Sequence, residues 1–432
     1  MAFRDEKIET MPREDLERLQ MDLLKRQVRR MYDSSEFFRG RMDAAGVRPE
    51  DVVDRESFRR VPFMRKTDLR DNYPDKLFVR PREEIVRMHV SSGTTGRPTV
   101  VGYTANDLDE WSESIARGMA SFGMTSADTL QNYHGYGLFT GGLGVHQAAE
   151  KIGAAVIPAG TGNTARQVML IEDLRPTVCA GTPSYLFHIA DAFEGMGKSM
   201  RGTAVEKAIA GGEPWSESMR RKIEGRTGIK AYNCYGASEM YGPLFLECSE
   251  QRGVHVWADV CYMEILDESG EPCAEGESGE MVVTMLNKEA FPLIRYRIGD
   301  VSSLVWERCA CGRTHPRLMR ITGRTDDMLV VRGINVFPSQ IESVIGEMPF
   351  LSPFYHITLS NEGYMDEMTV EVEIDEASLT EDTVKLASMA RAVESRMKDV
   401  LNLKADVRLA LPGTLGRFEG KAKHVTDNRS YD

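Results

Sequence analysis

Apolar residues recur at helical spacing over 13–32, where Leu16, Leu19, Leu23, Leu24, Val28 and Met31 share one side and Pro12 is placed to open a helix. The segment 33–90 is rich in charge and reads as irregular until IVRMHV at 85–90, a predicted strand that runs into SSGTTGRPT. From 107 to 230, helix-like stretches such as 107–122 alternate with short apolar runs such as GAAVIP at 153–158 and TVCAG at 177–181. Strands separated by helices predict βα repeats and a largely parallel sheet covered on both faces. VCYMEILD at 260–267 and GEMVVTML at 279–286 read as paired strands of a smaller β-rich subdomain.

The last hundred residues separate from the rest. TVEVEID at 369–375 alternates as a strand, 382–399 has helical spacing through Val384, Leu386, Met389, Ala392, Val393 and Met397, and ADVRLAL at 405–411 reads as another strand. The polar, glycine-containing ITGRTDD at 321–327 marks the expected boundary, giving a domain over 1–322 and a small α+β domain over 323–432. There is no tandem repeat, heptad pattern or low-complexity tract.

Composition narrows the function classes. The 432 residues, 41% apolar and 28% charged, are those of a globular α/β protein rather than a disordered chain. Against 54 Lys and Arg stand 66 Asp and Glu, a net charge of −12 that opposes extended contact with nucleic acid or anionic lipid. The start, MAFRDEKIETMPREDLERL, carries charge where a secretory signal needs an apolar core, and no apolar run is long enough to span a bilayer, so the expected location is the cytoplasm. Seven cysteines point to thiols or metal ligands rather than a disulfide scaffold.

The run Ser91, Ser92, Gly93, Thr94, Thr95, Gly96, Arg97 combines small residues, hydroxyl donors and one cation. Small residues let backbone N–H groups approach phosphate oxygens, and an arginine adds a charge-assisted bidentate contact. The formula GxxxxGK[ST] is not met, since Arg97 and Pro98 follow Gly96, so a P-loop hydrolase is not the reading. The same composition also makes ordinary surface turns.

Taken with four later motifs, this loop resembles the adenylate-forming acyl-CoA synthetase superfamily and, within it, the phenylacetate–CoA ligase family. The carriers are SSGTTGRPTV, YGASE at 235–239, YRIGD at 296–300, GRTDDMLVVRGINVFPSQIE at 323–342 and FEGKAK at 418–423, in family order, with HGYGLFTGGLGVH and GGEPWS characteristic of that branch. Arg97 and Thr99 stand where lysines are common in the wider superfamily.

The resemblance implies ATP-dependent joining of an aryl acid to coenzyme A, with a large domain of parallel sheets, a β-rich subdomain and a mobile C-terminal domain. It implies that Lys421 bridges the acid carboxylate and the α-phosphate, that Glu239 helps hold Mg²⁺, and that Asp300 accepts from the ribose hydroxyls. Arg324 would reach ribose or phosphate oxygens and Asp326 would act as the hinge. Gly212, Glu213 and Pro214 would border the adenine, with Tyr235 and Gly236 beside it. Tyr136, Gly137 and Phe139 would meet the acyl ring, where aromatic packing favours an aryl acid over acetate. His134 and Cys179 are candidates for tuning selectivity among aryl acids. The chain's short length, like that branch's, gives a homodimer as an expectation. Two other readings use the same residues: nucleotidyl transfer of the coenzyme F390 synthetase kind, and a nucleotide-binding scaffold without chemistry.

A metal site is read from the residues directly. Cys309 and Cys311 form a CxC pair whose turn Gly312 permits, and Cys248 and His255 would complete a Cys₃His set suited to structural zinc. His315 competes as a ligand, and buried free thiols are the alternative.

Overall fold

The computed structural model describes residues 2–90, 98–325, 329–332, 334–362, 365–416 and 424–429. Two short strands, β1 (Arg87–Val90) and β2 (Val100–Tyr103), form an antiparallel pair. The main sheet follows: β3 (Thr129–Asn132), β4 (Ala155–Ile157), β5 (Val178–Gly181), β6 (Lys207–Gly211) and β7 (Lys230–Ala237) run parallel, and β8 (Gly242–Leu246) lies antiparallel to β7 at the edge. The order is β4-β3-β5-β6-β7-β8.

Side chains alternate across this sheet as strand geometry requires. Val178, Ala180 and Ile209 face a core with Trp111, Ile115, Met119, Val145 and Ala148 of the helices Ala105–Ser121 and Gly141–Ile152. Cys179, Ala208 and Ala210 face the opposite core, filled by Ile171, Tyr185, Ile189, Phe193 and Ile223 of three other helices. Both faces are covered, so the strands are apolar throughout rather than alternating in polarity.

The helix Arg13–Ser34 forms where its spacing predicts, with Pro12 as its cap. Its buried stripe includes two glutamines besides Leu16, Leu24, Val28 and Met31, while Leu19 and Leu23 are only partly buried. Gln20 Nε2 donates to the Cys261 carbonyl (3.3 Å) and Gln27 Nε2 to that of Lys288 (2.8 Å). The segment 33–90 is not irregular. It holds the helix Glu36–Ala44, capped by Ser35, and the short helices Arg55–Phe58, capped by Asp54, and Lys66–Asp71. Elements of four to nine residues leave too few turns for a period to show.

The β-rich subdomain begins with β9 (Val254–His255), β10 (Cys261–Leu266), β11 (Gly279–Met285) and β12 (Tyr296–Ser302). It continues through β13 (Leu304–Val305), β14 (Arg317–Leu318) and β15 (Gly323–Arg324). One sheet has the order β10-β11-β12-β15 and another β13-β14-β9. β10 and β11 are the antiparallel pair that the pattern predicts.

After the small hairpin β16 (Leu329–Val331) and β17 (Ile334–Val336), four strands form the C-terminal sheet: β18 (Leu351–Glu362), β19 (Met365–Ile374), β20 (Asp406–Ala410) and β21 (Val425–Asp427), in the order β20-β19-β18-β21. It shares its own core with the helices Pro338–Glu347 and Thr383–Leu401 through Ile341, Val344, Val393 and Met397. Val384 and Ala392, placed on the helical face by the sequence pattern, are exposed instead, because the buried stripe runs through Met389, Val393, Met397 and Leu401. Among the described residues no helix is long and apolar enough to cross a membrane.

Candidate active site

Three of the expected nucleotide-site residues converge. Asp300 on β12 and Arg324 on β15 are directly opposed in register. Arg324 Nη1 bonds to Asp300 Oδ1, and Arg324 Nη2 donates to the Ile298 carbonyl (3.3 Å). The Tyr235 hydroxyl, from the end of β7, donates to Asp300 Oδ2 at 2.5 Å. Burial first, and then the Asp300 charge, pushes the Tyr235 phenol well above its ordinary pKa, so it remains a donor. The cluster joins the edge of the parallel sheet to the β-rich subdomain and is only partly shielded, with 22% of the Arg324 side chain and 8% of that of Asp300 exposed.

A β-bulge between Tyr235 and Gly236 brings the chain against the start of β8. A Cβ on Gly236 would lie 1.8 Å from the Gly242 carbonyl oxygen, so only glycine fits there. The next residues, Ser238–Met240, make a 3₁₀ turn that carries Glu239, half-buried.

Gly212 follows β6 with φ +88°, in the left-handed region that glycine tolerates. That turn places Glu213 Oε1 to accept the Ser184 amide (2.7 Å) in the first turn of the helix Pro183–Gly195. A carboxylate at a helix N-terminus is a favourable pairing, so Glu213 anchors the segment Gly212–Pro214 to the helix. Trp215 Nε1 donates to Asn233 Oδ1 (2.8 Å), tying the same segment to β7.

In the acyl-pocket candidate, the Tyr136 hydroxyl accepts from Asn132 Nδ2 (2.9 Å) and meets His146 Nδ1 (3.1 Å), whose Nε2 reaches Glu150 (3.0 Å). Gly137 is exposed, and Phe139 keeps 50% of its surface accessible, so the apolar face of this loop is open to a ligand. Burial lowers the His134 pKa to about 4, leaving it neutral. Cys179 lies within the core against Tyr133, and burial lifts its thiol to about 12.

The four metal-candidate residues also converge. Ligand atoms of Cys248, His255, Cys309 and Cys311 all lie within 4.8 Å of one another, and all four residues are buried. Cys248 Sγ is 3.7 Å from Cys309 Sγ, and Cys311 Sγ is 3.4 Å from His255 Nε2. Pairing of β9 with β14, which sets His255 against Arg317, closes the long sequence gap between the halves. Hydrogen bonds from Cys248, Cys309 and His255 hold Cys311 far below the usual thiol range. Three sulfurs and one imidazole at mutual ligand distance fit a closed tetrahedral zinc set. His315 is not among them: its Nδ1 accepts from the Ala258 amide (2.9 Å) and its Nε2 donates to the Ile8 carbonyl (2.8 Å).

Ser91, Ser92, Gly93, Thr94, Thr95, Gly96, Arg97, Asp326 and Lys421 lie outside the described residues. The sequence reading missed Lys288, which underlies the Glu239 turn, and the buried Arg313–Glu9 ion pair (2.7 Å) beside the cysteines. Between β11 and β12 the run LNKEAFPLIR sets Lys288 between Asn287 and Glu289, so nothing local singles it out.

The sequence profile of AMP-binding enzymes matches residues 28–286, and that of the AMP-binding enzyme C-terminal domain matches 333–429. A phenylacetate-coenzyme A ligase of Thermus thermophilus is 45% identical over 99% of this chain and 100% of its own length. A crystal structure of 2-hydroxyisobutyryl-CoA ligase in the postadenylation state with R3-HIB-AMP has a TM-score of 0.93 at 28% identity, over 99% of this chain and 92% of that one. The same ligase with 2-HIB-AMP and CoA in the thioesterification state gives 0.73 at 30% identity, over 98% and 92%. The chain belongs to the AMP-binding, adenylate-forming enzymes and, within them, to the phenylacetate–coenzyme A ligase family.

Proposed function

We infer that the chain is an ATP-dependent ligase that joins an aryl carboxylic acid, phenylacetate or a close analogue, to coenzyme A through an acyl-adenylate, releasing AMP and pyrophosphate. Kinship with phenylacetate-coenzyme A ligases over the whole chain carries this reading. The Tyr235–Asp300–Arg324 cluster supports it, since a carboxylate oriented by a phenol and a guanidinium is an acceptor of the kind the vicinal hydroxyls of a ribose need.

In the first half-reaction the acid carboxylate attacks the α-phosphorus, the bond to pyrophosphate breaks, and negative charge gathers on phosphate oxygens. Cations and oriented donors that tighten as that charge develops lower the barrier most. Lys421 would bridge the carboxylate and the α-phosphate, and the hydroxyls and amides of 91–97 with Arg97 would hold the pyrophosphate side. The single carboxylate of Glu239 suits a hard cation that keeps most of its waters, so Glu239 would hold Mg²⁺, which supplies neutralisation of phosphate charge when bound. Gly212–Pro214 would border the adenine, beside Tyr235 and Gly236. Tyr136, Gly137 and Phe139 would receive the aryl ring.

In the second half-reaction the coenzyme A thiolate attacks the acyl carbonyl and AMP leaves. β15 stays with the β-rich subdomain, and the domain that follows it would turn about Asp326 to clear a path for the thiol. The greater likeness to a postadenylation than to a thioesterification arrangement supports two such positions. Zinc in the Cys₃His set would clamp the β-rich subdomain rather than take part in ligation. Seven unpaired thiols suit a cytoplasmic setting, and a homodimer is the assembly that sedimentation should find.

Incubation of a panel of carboxylic acids with ATP, Mg²⁺ and coenzyme A, read by mass spectrometry, tests the reading. Aryl thioesters with AMP and pyrophosphate are expected. Transfer of AMP to a phenol, or nucleotide binding without turnover, would replace this function with another.

A further inference from the structure

Lys288 has no exposed surface, lies outside every motif used so far, and sits directly beneath the turn that carries Glu239. Its Nζ lies 5.0 Å from the ring centres of Tyr103 and Tyr241 and 5.3 Å from that of Phe291. It donates a 2.7 Å hydrogen bond to the main-chain carbonyl of Glu239. The Tyr103 hydroxyl works on the same turn, donating to the carbonyls of Tyr241 (2.8 Å) and Ser238 (3.3 Å). Three of the four carbonyls from 238 to 241 are therefore held from below by two side chains remote in sequence.

The turn needs that support. Tyr241 takes φ +84°, a backbone state that side-chain-bearing residues seldom adopt unless their surroundings impose it. A buried lysine is also an expensive way to fill volume, because a methionine would fit without desolvating a charge. Three ring faces and one carbonyl offset part of that cost. Asp107 does not serve as its partner at hydrogen-bond range: its carboxylate accepts the amides of Thr104, Glu289 and Ala290. Burial lowers the Lys288 pKa to about 8, and the charges of Asp107 and Glu239 oppose that fall. The ammonium and the Glu239 carboxylate thus attract each other across the backbone that links them.

We propose that Lys288 is a positioning residue for adenylation, fixing through the Glu239 carbonyl the backbone from which the metal-binding carboxylate projects, with Tyr103 as its partner. This rests on the reading of Glu239 as the Mg²⁺ ligand. Removing the ammonium frees the turn and loosens the carboxylate, while the pocket for the thiol is untouched. The effect belongs to the first half-reaction alone.

The test measures pyrophosphate release against Mg²⁺ concentration, and separately thioester formation from supplied phenylacetyl-adenylate and coenzyme A, for the full-length wild type, K288M, Y103F, E239Q and K288M/E239Q. Losing a charged hydrogen bond in K288M should raise the half-saturating Mg²⁺ for adenylation about tenfold or more, and Y103F should move it about threefold the same way. Thioester formation by K288M and Y103F should stay within about twofold of wild type, and in adenylation the double variant should be no worse than E239Q alone, the mark of coupled residues. Multiplying effects, or equal losses in both half-reactions, overturn the proposal. If K288M does not fold, an unshifted Y103F overturns it. E239Q shifted with K288M unshifted sinks the proposal alone, whereas an unshifted E239Q sinks the Glu239 reading on which it stands.

Discussion

Asp300 and Arg324 face each other across neighbouring antiparallel strands, the guanidinium bonded to one carboxylate oxygen while the Tyr235 hydroxyl takes the other. The carboxylate is thereby fixed in orientation before any nucleotide arrives. Asp300→Ala removes the acceptor and leaves Arg324 without that partner. The expected result is a rise of about 10- to 100-fold in the KM for ATP in pyrophosphate release, the scale of hydrogen bonds to a charged group. An unchanged KM in folded protein would remove Asp300 from the nucleotide site.

Tyr235→Phe separates the two uses of that side chain. The ring stays and the 2.5 Å bond to Asp300 goes. If the hydroxyl aligns Asp300, the KM for ATP should rise by about tenfold. If the ring alone mattered, Tyr235→Phe would behave as wild type and only Tyr235→Ala would lose affinity.

Much of this arrangement was legible in the sequence, for identifiable reasons. The strands β5 and β10 announce themselves as apolar runs because both of their faces are largely buried, and the helix Ala105–Ser121 falls on the helix-like stretch 107–122. The Cys₃His candidates were legible through the Cys309–Cys311 pair before Gly312 and through Cys248 and His255 lying near each other in sequence, although only the β9–β14 pairing shows that the halves meet. The short helices of 33–90 were hidden because one or two turns carry no period. Lys288 was hidden because its partners, Tyr103, Tyr241 and the Glu239 carbonyl, are contributed by separate segments of the chain, which no local pattern records.

The metal set predicts composition. Protein purified without chelator should hold about one zinc per chain, and less than about 0.1 would refute the site. The N-terminal residues reinforce it: Glu9 pairs with Arg313 with neither side chain exposed, and Arg313 Nη1 reaches Cys311 Sγ (3.7 Å). Deleting residues 2–11 should therefore speed zinc loss to a chelator, followed by a colorimetric indicator, whereas an unaltered rate would show that the segment does not guard the site.

Glu110 predicts a pH dependence of stability. Burial, aided by Asp259 and Asp107, raises its pKa to about 7, against the bonds it accepts from Tyr241 (2.7 Å) and Asn287 (2.6 Å). Between the unfolded value near 4.5 and about 7, the folded chain keeps a proton that the unfolded chain gives up. Its contribution is therefore full below about pH 4.5 and is lost as pH rises through about 7. Glu110→Gln cannot lose that proton, so it should gain up to about 3 kcal/mol on wild type between about pH 5 and pH 8 in urea unfolding. An equal difference at both pH values would contradict this assignment.

The account turns on an acyl-adenylate formed before the thiol acts. The most direct measurement is a single-turnover chase: enzyme in excess over ATP, with phenylacetate and Mg²⁺ but no coenzyme A, quenched and resolved by mass, then repeated with coenzyme A added after the first phase. Phenylacetyl-adenylate and pyrophosphate should accumulate together on the enzyme and convert to thioester and AMP when coenzyme A arrives. Pyrophosphate release only after coenzyme A is added, or release of ADP and phosphate in its place, would contradict it.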